Sequence, residues 1–461
     1  MTSARADVVI CGAGIAGVAT AYHLAVRRGV TGVVLVDERE PLSLTSSKGT
    51  GGYRNWWPGP DDAMVRLMNR SIALMEELAR ESGDTFRMNR RGYAFFTAEA
   101  RGVAEMRSTA AAVAALGAGS LREHTAGSSF ADSRADGGTT ARSGLPDDDG
   151  ADLTLDRAAI RDALPFITPD AVAALHVRRA GTFDPLRFGA WLLERVRAAG
   201  VDVVRARVDG IDVASGRVRG VRLAGGGAIE SPRVVLAPGP HLARVGGALG
   251  LEIPVTLELH GKIIFDDEHG VVPHDAPLLI WNDPVRLPWT DDERARFATN
   301  AATHRLLDEF PAGIHVRSSG VRGDRTLQII WTYDTSAREM IWPPEHDPHY
   351  AEILIRGLSR MIPAFCAYHG RAARARVDGG YYCKTPENRP IVGPLPVDGA
   401  YVIAALSGFG VMASQAAAEI VAAQIAGDAA PAYARAFRYG RHSEPEYQRI
   451  IREWGAASGQ L

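Results

Sequence analysis

Residues 7–38 carry the pattern that most restricts what this chain can become. An apolar run, Val8-Val9-Ile10-Cys11, leads directly into Gly12-Ala13-Gly14-Ile15-Ala16-Gly17. Apolar residues then recur at helical spacing (Val18, Ala21, Tyr22, Ala25) as far as Arg28, and Gly29 is placed to end the helix. A second apolar run, residues 32–36, stops at Asp37 and Glu38. This is a βαβ unit with a glycine turn between strand and helix. Gly12 permits the tight turn, Gly14 lets a pyrophosphate approach the backbone, and Gly17 lets the helix close on the strand. The phosphates would meet unpaired N–H groups of the first helical turn, where Ile15 and Ala16 lie. A carboxylate at Asp37, with Glu38 beside it as the alternative, is placed to accept hydrogen bonds from both ribose hydroxyls and to repel a 2′-phosphate. The unit predicts dinucleotide binding.

The segment directly after the second strand points to a flavin dinucleotide. Ser46-Ser47-Lys48-Gly49-Thr50-Gly51-Gly52-Tyr53-Arg54 is rich in small hydroxyl residues and glycines. These suit close backbone contact with a ribityl chain and flavin ring, whereas a simple NAD domain would continue into another helix. Ser46, Ser47, Lys48, Thr50, Gly51 and Gly52 are the expected contacts. Near the other end, a strand over 400–405 runs into Ser407-Gly408-Phe409-Gly410-Val411-Met412 and an alanine-rich helix from about 413 to 426. The N-terminus of that helix, with Gly408, Phe409, Gly410, Val411 and Met412, would stabilise negative charge at the pyrimidine edge of a reduced flavin.

With these motifs in view, the sequence resembles the D-amino-acid oxidase family of flavoproteins, in its sarcosine oxidase, glycine oxidase and dimethylglycine dehydrogenase branch. The matching segments are GAGIAG with LVD ending at Asp37, SSKGTGGYR at 46–54, TPENRPIVGP at 385–394 and SGFGVM at 407–412, with VVLAPGPH at 234–241 as a weaker match. The resemblance implies an α/β, two-domain α+β fold, with a Rossmann-type FAD-binding domain and an antiparallel-sheet substrate domain. On that reading 1–95, 153–250 and 376–461 form the discontinuous FAD-binding domain, 96–152 a helix plus a flexible low-complexity insertion, and 251–375 the substrate domain, or roof. It implies further contacts with FAD at Val208, Ala237 and Gly239, and oxidation of the carbon beside an amine nitrogen.

The sequence also departs from the family pattern. Gly380 stands where some members carry a flavin-linking cysteine, and 46–50 holds no histidine, so FAD held non-covalently is expected, with Cys383 a packed thiol. Gln328 occupies the position of an oxygen-activating lysine, for which Lys262 or Lys48 could substitute; oxygen and another electron acceptor both remain open. Met412 replaces a substrate-holding lysine of the sarcosine oxidases. Arg54 is the leading candidate to grip a substrate carboxylate as a bidentate pair, and Tyr382 aligns with a substrate-facing tyrosine. Weaker candidates are Arg178, Arg317 and His260, and Trp56, Trp57, Trp331 and Trp342 as pocket walls. The substrate is expected to be a small amino acid or N-substituted amino acid. The alternatives are a flavin subunit of a heteromeric dehydrogenase, or a specialised-metabolism oxidase acting on an unusual amine or hydrazine. A hydroxylase or halogenase would carry a Gly-Asp-Ala-Ala-His-like motif, which is not found.

Composition narrows the rest. The 461 residues carry 52 Lys and Arg against 54 Asp and Glu, a net charge of -2, which offers no basic field for nucleic acid or anionic membrane. Three cysteines give no disulfide framework and no paired metal site, and a cytoplasmic setting is expected. No signal peptide, and no apolar stretch near the roughly 20 residues of a spanning helix, is read. The oligomeric state is left open. The Gly, Ser, Ala and Asp-rich stretch 117–152 is expected to be a solvated insertion or a lid.

Overall fold

The computed structural model describes residues 4–125 and 149–454. The N-terminal βαβ unit nucleates a six-stranded sheet in the order Asp202–Arg205, Val33–Asp37, Val8–Cys11, Val234–Leu236, Ala400–Ala404, Ile391–Pro394. All neighbours are parallel except the last pair. Covered on both faces, these strands read as unbroken apolar runs, and every residue of Val8–Cys11 is buried. Helix Ile15–Ala21 continues through one π-type turn to Val26 and packs against helix Gly410–Ala426. A smaller sheet of Ala4–Arg5, Ala228–Glu230, Arg217–Leu223 and Val208–Ala214 lies alongside.

The span Ser407–Ala426 is long and apolar enough to cross a membrane by length and composition, contrary to the reading that no such stretch exists. Most of it is buried inside the protein, its alanines seated between Ile15–Ala21 and helix Ala63–Glu81. Its apolar surface is therefore satisfied by core packing.

The roof is a nine-stranded sheet in the order Arg376–Lys384, Thr256–Asp266, Thr326–Ile330, His315–Ser318, Leu278–Trp281, Tyr93–Thr97, Ala173–Val177, Gly150–Thr154, Ser120–His124. It draws in segments outside 251–375. Residues 93–95 of Tyr93–Thr97, and all of Ala173–Val177 and Arg376–Lys384, were expected on the FAD side. The flanks of the supposed insertion, Ser120–His124 and Gly150–Thr154, form its parallel edge pair. The buried carboxylate of Asp152 anchors that edge, holding Arg122 at 2.7 Å, His124 at 2.8 Å and Arg178 at 2.9 Å. The centre of 117–152 lies outside the described residues.

Strand alternation gives the roof two faces. Ile263, Phe265, Leu279, Trp281, Val316, Leu327 and Ile329 join a core with helix Tyr350–Met361. Tyr93, Phe95, Leu278 and Ile280 point the other way, into the core shared with the dinucleotide sheet. Lys262, His315, Arg317 and Gln328 alternate with the first set and so face that sheet too.

Candidate active site

A cavity runs along the C-terminal ends of the parallel strands, where ligands bind in open α/β sheets. Of the expected cofactor contacts, Gly12, Gly14, Ile15, Ala16, Asp37, Glu38, Ser46, Val208, Ala237, Gly239 and Gly410 line it. Gly12 has φ +112°, and a Cβ there would lie 2.2 Å from the Ala237 carbonyl oxygen. Gly17 is not in the lining. A Cβ there would lie 1.9 Å from the Gly12 carbonyl oxygen, so its lack of a side chain sets how closely helix and strand pack. The Asp37 carboxylate accepts from Ala13 N–H at 2.7 Å and Arg39 N–H at 2.9 Å, which fixes it at the cavity wall. Ser46 Oγ accepts from Ile15 N–H at 2.9 Å, a donor of the first helical turn.

The remaining expected contacts lie beside the cavity. Ser47 turns its hydroxyl onto the carbonyls of Ser43 and Leu44. Lys48 pairs with Asp378 at 2.8 Å. Thr50 precedes Gly51, whose φ of +71° and contact with the Phe183 carbonyl exclude a side chain, while Gly52 pairs with Thr182 and leaves room for Tyr93. Gly408 accommodates the Tyr382 ring, and Phe409 meets Trp57 edge-on at 4.8 Å. Val411 packs on Gly49, and the Met412 carbonyl accepts from Ser71. Ser407 does not stand out as a site residue in the sequence. Its Oγ is buried without a partner at the cavity wall, and both Ser407 and Ala405 adopt positive φ, strain of the kind concentrated at ligand sites. A glycine cradle, a ribose carboxylate and an orphan hydroxyl together fit a flavin dinucleotide. Cys383 also lines the cavity; burial pushes its thiol up to about 12, so it stays protonated.

Beyond the loop 45–54, the roof gathers polar groups on its inward face. Lys262 Nζ donates to the carbonyls of Lys48 at 2.8 Å and Gly49 at 3.2 Å, and burial lowers its pKa to about 8. Arg54, on strand Gly52–Arg54, is buried with its guanidinium 4.5 Å from the Trp57 ring and 5.8 Å from that of Tyr93; burial lowers its pKa, opposed by Tyr93. Arg317 is 6% exposed. It donates to the Ser318 carbonyl, its Nε has no partner, and burial lowers its pKa to about 10. Gln328, directly across from Arg317, has a buried Oε1 with no partner. Tyr382 stacks on His260 at 3.9 Å, and His260 is held by Glu258 and Thr332, each at 3.0 Å. Burial raises the Tyr382 pKa to about 12, so it remains a phenol.

The structure therefore brings Arg317, Gln328, Lys262, His260 and Tyr382 onto the inward face of the roof, with Arg54 reaching toward Tyr93 from the separate strand Gly52–Arg54. Two candidates fall elsewhere. Arg178 is tied to Asp152 at the sheet edge, and Trp331 belongs to the outer core and donates to the Pro311 carbonyl. Trp342 is half-buried in the irregular segment between Thr326–Ile330 and Tyr350–Met361. Tyr93 and His315 were missed. Their signal lay in strand parity: in His315-Val316-Arg317 the first and third residues share a face.

The family model for FAD dependent oxidoreductases (DAO) matches residues 7–424. The fold is similar to that of L-proline dehydrogenase from P. horikoshii (TM-score 0.72, 18% identity, covering 96% of this chain and 99% of that one). Glycine oxidase from Geobacillus kaustophilus gives 0.71 and 16%, covering 96% and 100%. NikD, described as an unusual amino acid oxidase essential for nikkomycin biosynthesis, gives 0.67 and 15%, covering 94% and 97%. No curated protein sequence matches the chain.

Proposed function

From the premise that the chain belongs to the DAO family of FAD-dependent oxidoreductases, we propose that it oxidises the C–N bond of a small amino acid or N-substituted amino acid to an imine. One observation carries this reading. Arg317 Nε and Gln328 Oε1 are a donor and an acceptor on adjacent strands, both buried and both without a partner among the described residues. Such groups are costly to bury unless a ligand completes them. An amino acid offers a group of each kind, a carboxylate for the donors and an amine N–H for an acceptor on this face. Arg54 adds a second cation beside Tyr93.

When bound, FAD supplies the hydride acceptor. The chain's own residues orient the substrate. Arg317 and Arg54 hold the carboxylate, Tyr382 limits how the substrate can lie above the 407–410 turn, and the apolar Tyr93, Phe95, Leu278 and Ile280 exclude water on one flank. The cluster of cations disfavours an ammonium in the site and so helps keep the amine neutral, as C–H cleavage requires. The related structures are named a proline dehydrogenase, a glycine oxidase and an unusual amino acid oxidase, which supports the same substrate class. FAD is held without a covalent bond on this reading, and oxygen or another acceptor reoxidises it.

Anaerobic bleaching of the flavin by N-methyl, cyclic and primary amino acids tests the proposal. At least one should bleach it, and its decarboxylated amine should do so far more slowly. Equal bleaching by both would show that the carboxylate is not recognised, and no bleaching by any would end the proposal.

A further inference from the structure

We propose that His315 is the acceptor that recognises the N–H of the substrate amine, making the enzyme select primary and secondary amino acids over tertiary ones. This rests on the amino-acid reading of the site and adds a specificity determinant to it.

The backbone fixes the tautomer of the ring. His315 Nδ1 lies 2.9 Å from the Gly313 carbonyl oxygen. A carbonyl oxygen only accepts, so Nδ1 carries the proton and the neutral ring presents a lone pair at Nε2. Among the described residues nothing donates to Nε2. The ring stands on the inward face of the roof, opposite Ile280 on one strand and Ile330 on the other, and Ile330 in turn stands opposite Lys262. The charged and titratable groups at this face are Arg54, Arg317, Lys262, His260, Tyr93 and Tyr382, with the carboxylates of Glu258, tied to His260 and Lys384, and Asp378, tied to Lys48. Burial, with smaller contributions from Arg54 and His260, lowers the His315 pKa to about 4, so the ring is neutral near pH 7.

The contrast with its surroundings assigns the role. Arg54, Arg317 and Lys262 can only donate, and they suit the carboxylate. An amine needs an acceptor. Gln328 lies directly across from Arg317 on the carboxylate side, and its amide can turn to donate or accept. The Gly313 carbonyl leaves His315 no such choice. A neutral primary or secondary amine offers an N–H to Nε2. A neutral tertiary amine sets an alkyl group against the lone pair, and an acceptor left unsatisfied in this way discriminates by about 10- to 100-fold.

The test uses the FAD-loaded enzyme with the N-methyl and N,N-dimethyl forms of whichever amino acid bleaches the flavin. Wild type should reduce faster with the N-methyl form by at least about tenfold in kred/Kd. His315→Phe should bring that ratio close to one, through loss on the N-methyl substrate alone. His315→Gln, which restores an acceptor, should recover part of the preference. A ratio unchanged in His315→Phe, or no preference in wild type, overturns the proposal. Nitrogen NMR of histidine-labelled wild type supplies a readout without turnover, and serves if the Phe variant fails to load FAD. The His315 Nε2 signal should be that of an unprotonated nitrogen at pH 7 and should move on adding the N-methyl ligand under anaerobic conditions, but not with the dimethyl one. A proton on Nε2 would refute it. Failure of every amino acid to bleach the flavin would sink the amino-acid reading itself; bleaching with a flat ratio would sink only the role of His315.

Discussion

Arg317 and Gln328 face one another across neighbouring strands, and each carries a buried polar atom with no partner among the described residues. Arg317→Met should therefore separate binding from stability. Losing a desolvated guanidinium should weaken a non-oxidisable carboxylate ligand by about 2–4 kcal/mol, roughly 30- to 1000-fold in Kd. The melting temperature should hold or rise, because no buried counter-charge is stranded. Calorimetric titration and thermal melts read the two effects, and a large fall in stability with unchanged affinity would make Arg317 a structural residue.

Gly12→Ala should abolish flavin loading. The new Cβ would meet the Ala237 carbonyl oxygen at 2.2 Å, at a φ of +112° that only glycine adopts readily. Flavin absorbance of the purified variant after incubation with excess FAD is the measurement. Retention of bound flavin would show that this turn is not needed at the pyrophosphate.

Glu387 sets an acid limit on stability. Arg441 at 2.7 Å and His442 at 2.9 Å hold its buried carboxylate, and its pKa is lowered to about 2 although burial by itself would raise it. A depressed carboxylate contributes stability above its unfolded pKa, near 4.5, and loses that contribution as pH falls from there through about 2. Glu387→Gln strands the Arg441 charge and should cost about 3–5 kcal/mol at pH 7. The gap to wild type should narrow as pH falls through that window, which denaturant titrations at several pH values would show.

Lys262 should govern reoxidation if oxygen is the acceptor. Its folded pKa of about 8 lies below the ordinary lysine value because of burial, so its charge is lost as pH rises through about 8. The rate at which oxygen reoxidises the reduced protein should fall over that range, and Lys262→Met should flatten the profile at its low end. A pH-independent rate in wild type would remove Lys262 from this role.

Acid precipitation should leave the pellet colourless and the supernatant yellow, because the Cys383 thiol lining the cavity is held protonated and is a poor nucleophile. Cys383→Ser should load FAD as wild type does.

How much of the fold and the site was legible in the sequence depended on how local the cause was. Gly12, Gly14, Gly17 and Asp37 act within one βαβ unit, so their spacing alone placed them. Arg54 could be put next to the flavin loop because it follows that loop directly. His315 and Tyr93 could not be found this way. Their roles depend on which face of a nine-stranded sheet they occupy, and a one-residue change of register reverses that face. Trp331 shows the same limit: its neighbour Ile330 looks inward while the indole joins the outer core. Arg178 was misread because its partner Asp152 lies in a stretch whose composition looked solvated, although Ala151 and Leu153 on either side are buried.

The parallel sheet dictates when the protein can be completed during its synthesis. Three of its inner strands, Val8–Cys11, Val234–Leu236 and Ala400–Ala404, come from distant parts of the sequence yet are hydrogen-bonded in sequence order. A nascent chain on the ribosome can form the first βαβ unit early, but the cavity lacks a wall until residues 403–410 emerge. Cofactor capture must then follow synthesis of that wall, and the roof must wait with its inner face uncovered. Excess flavin during expression should therefore rescue yield more than a slower rate of synthesis does.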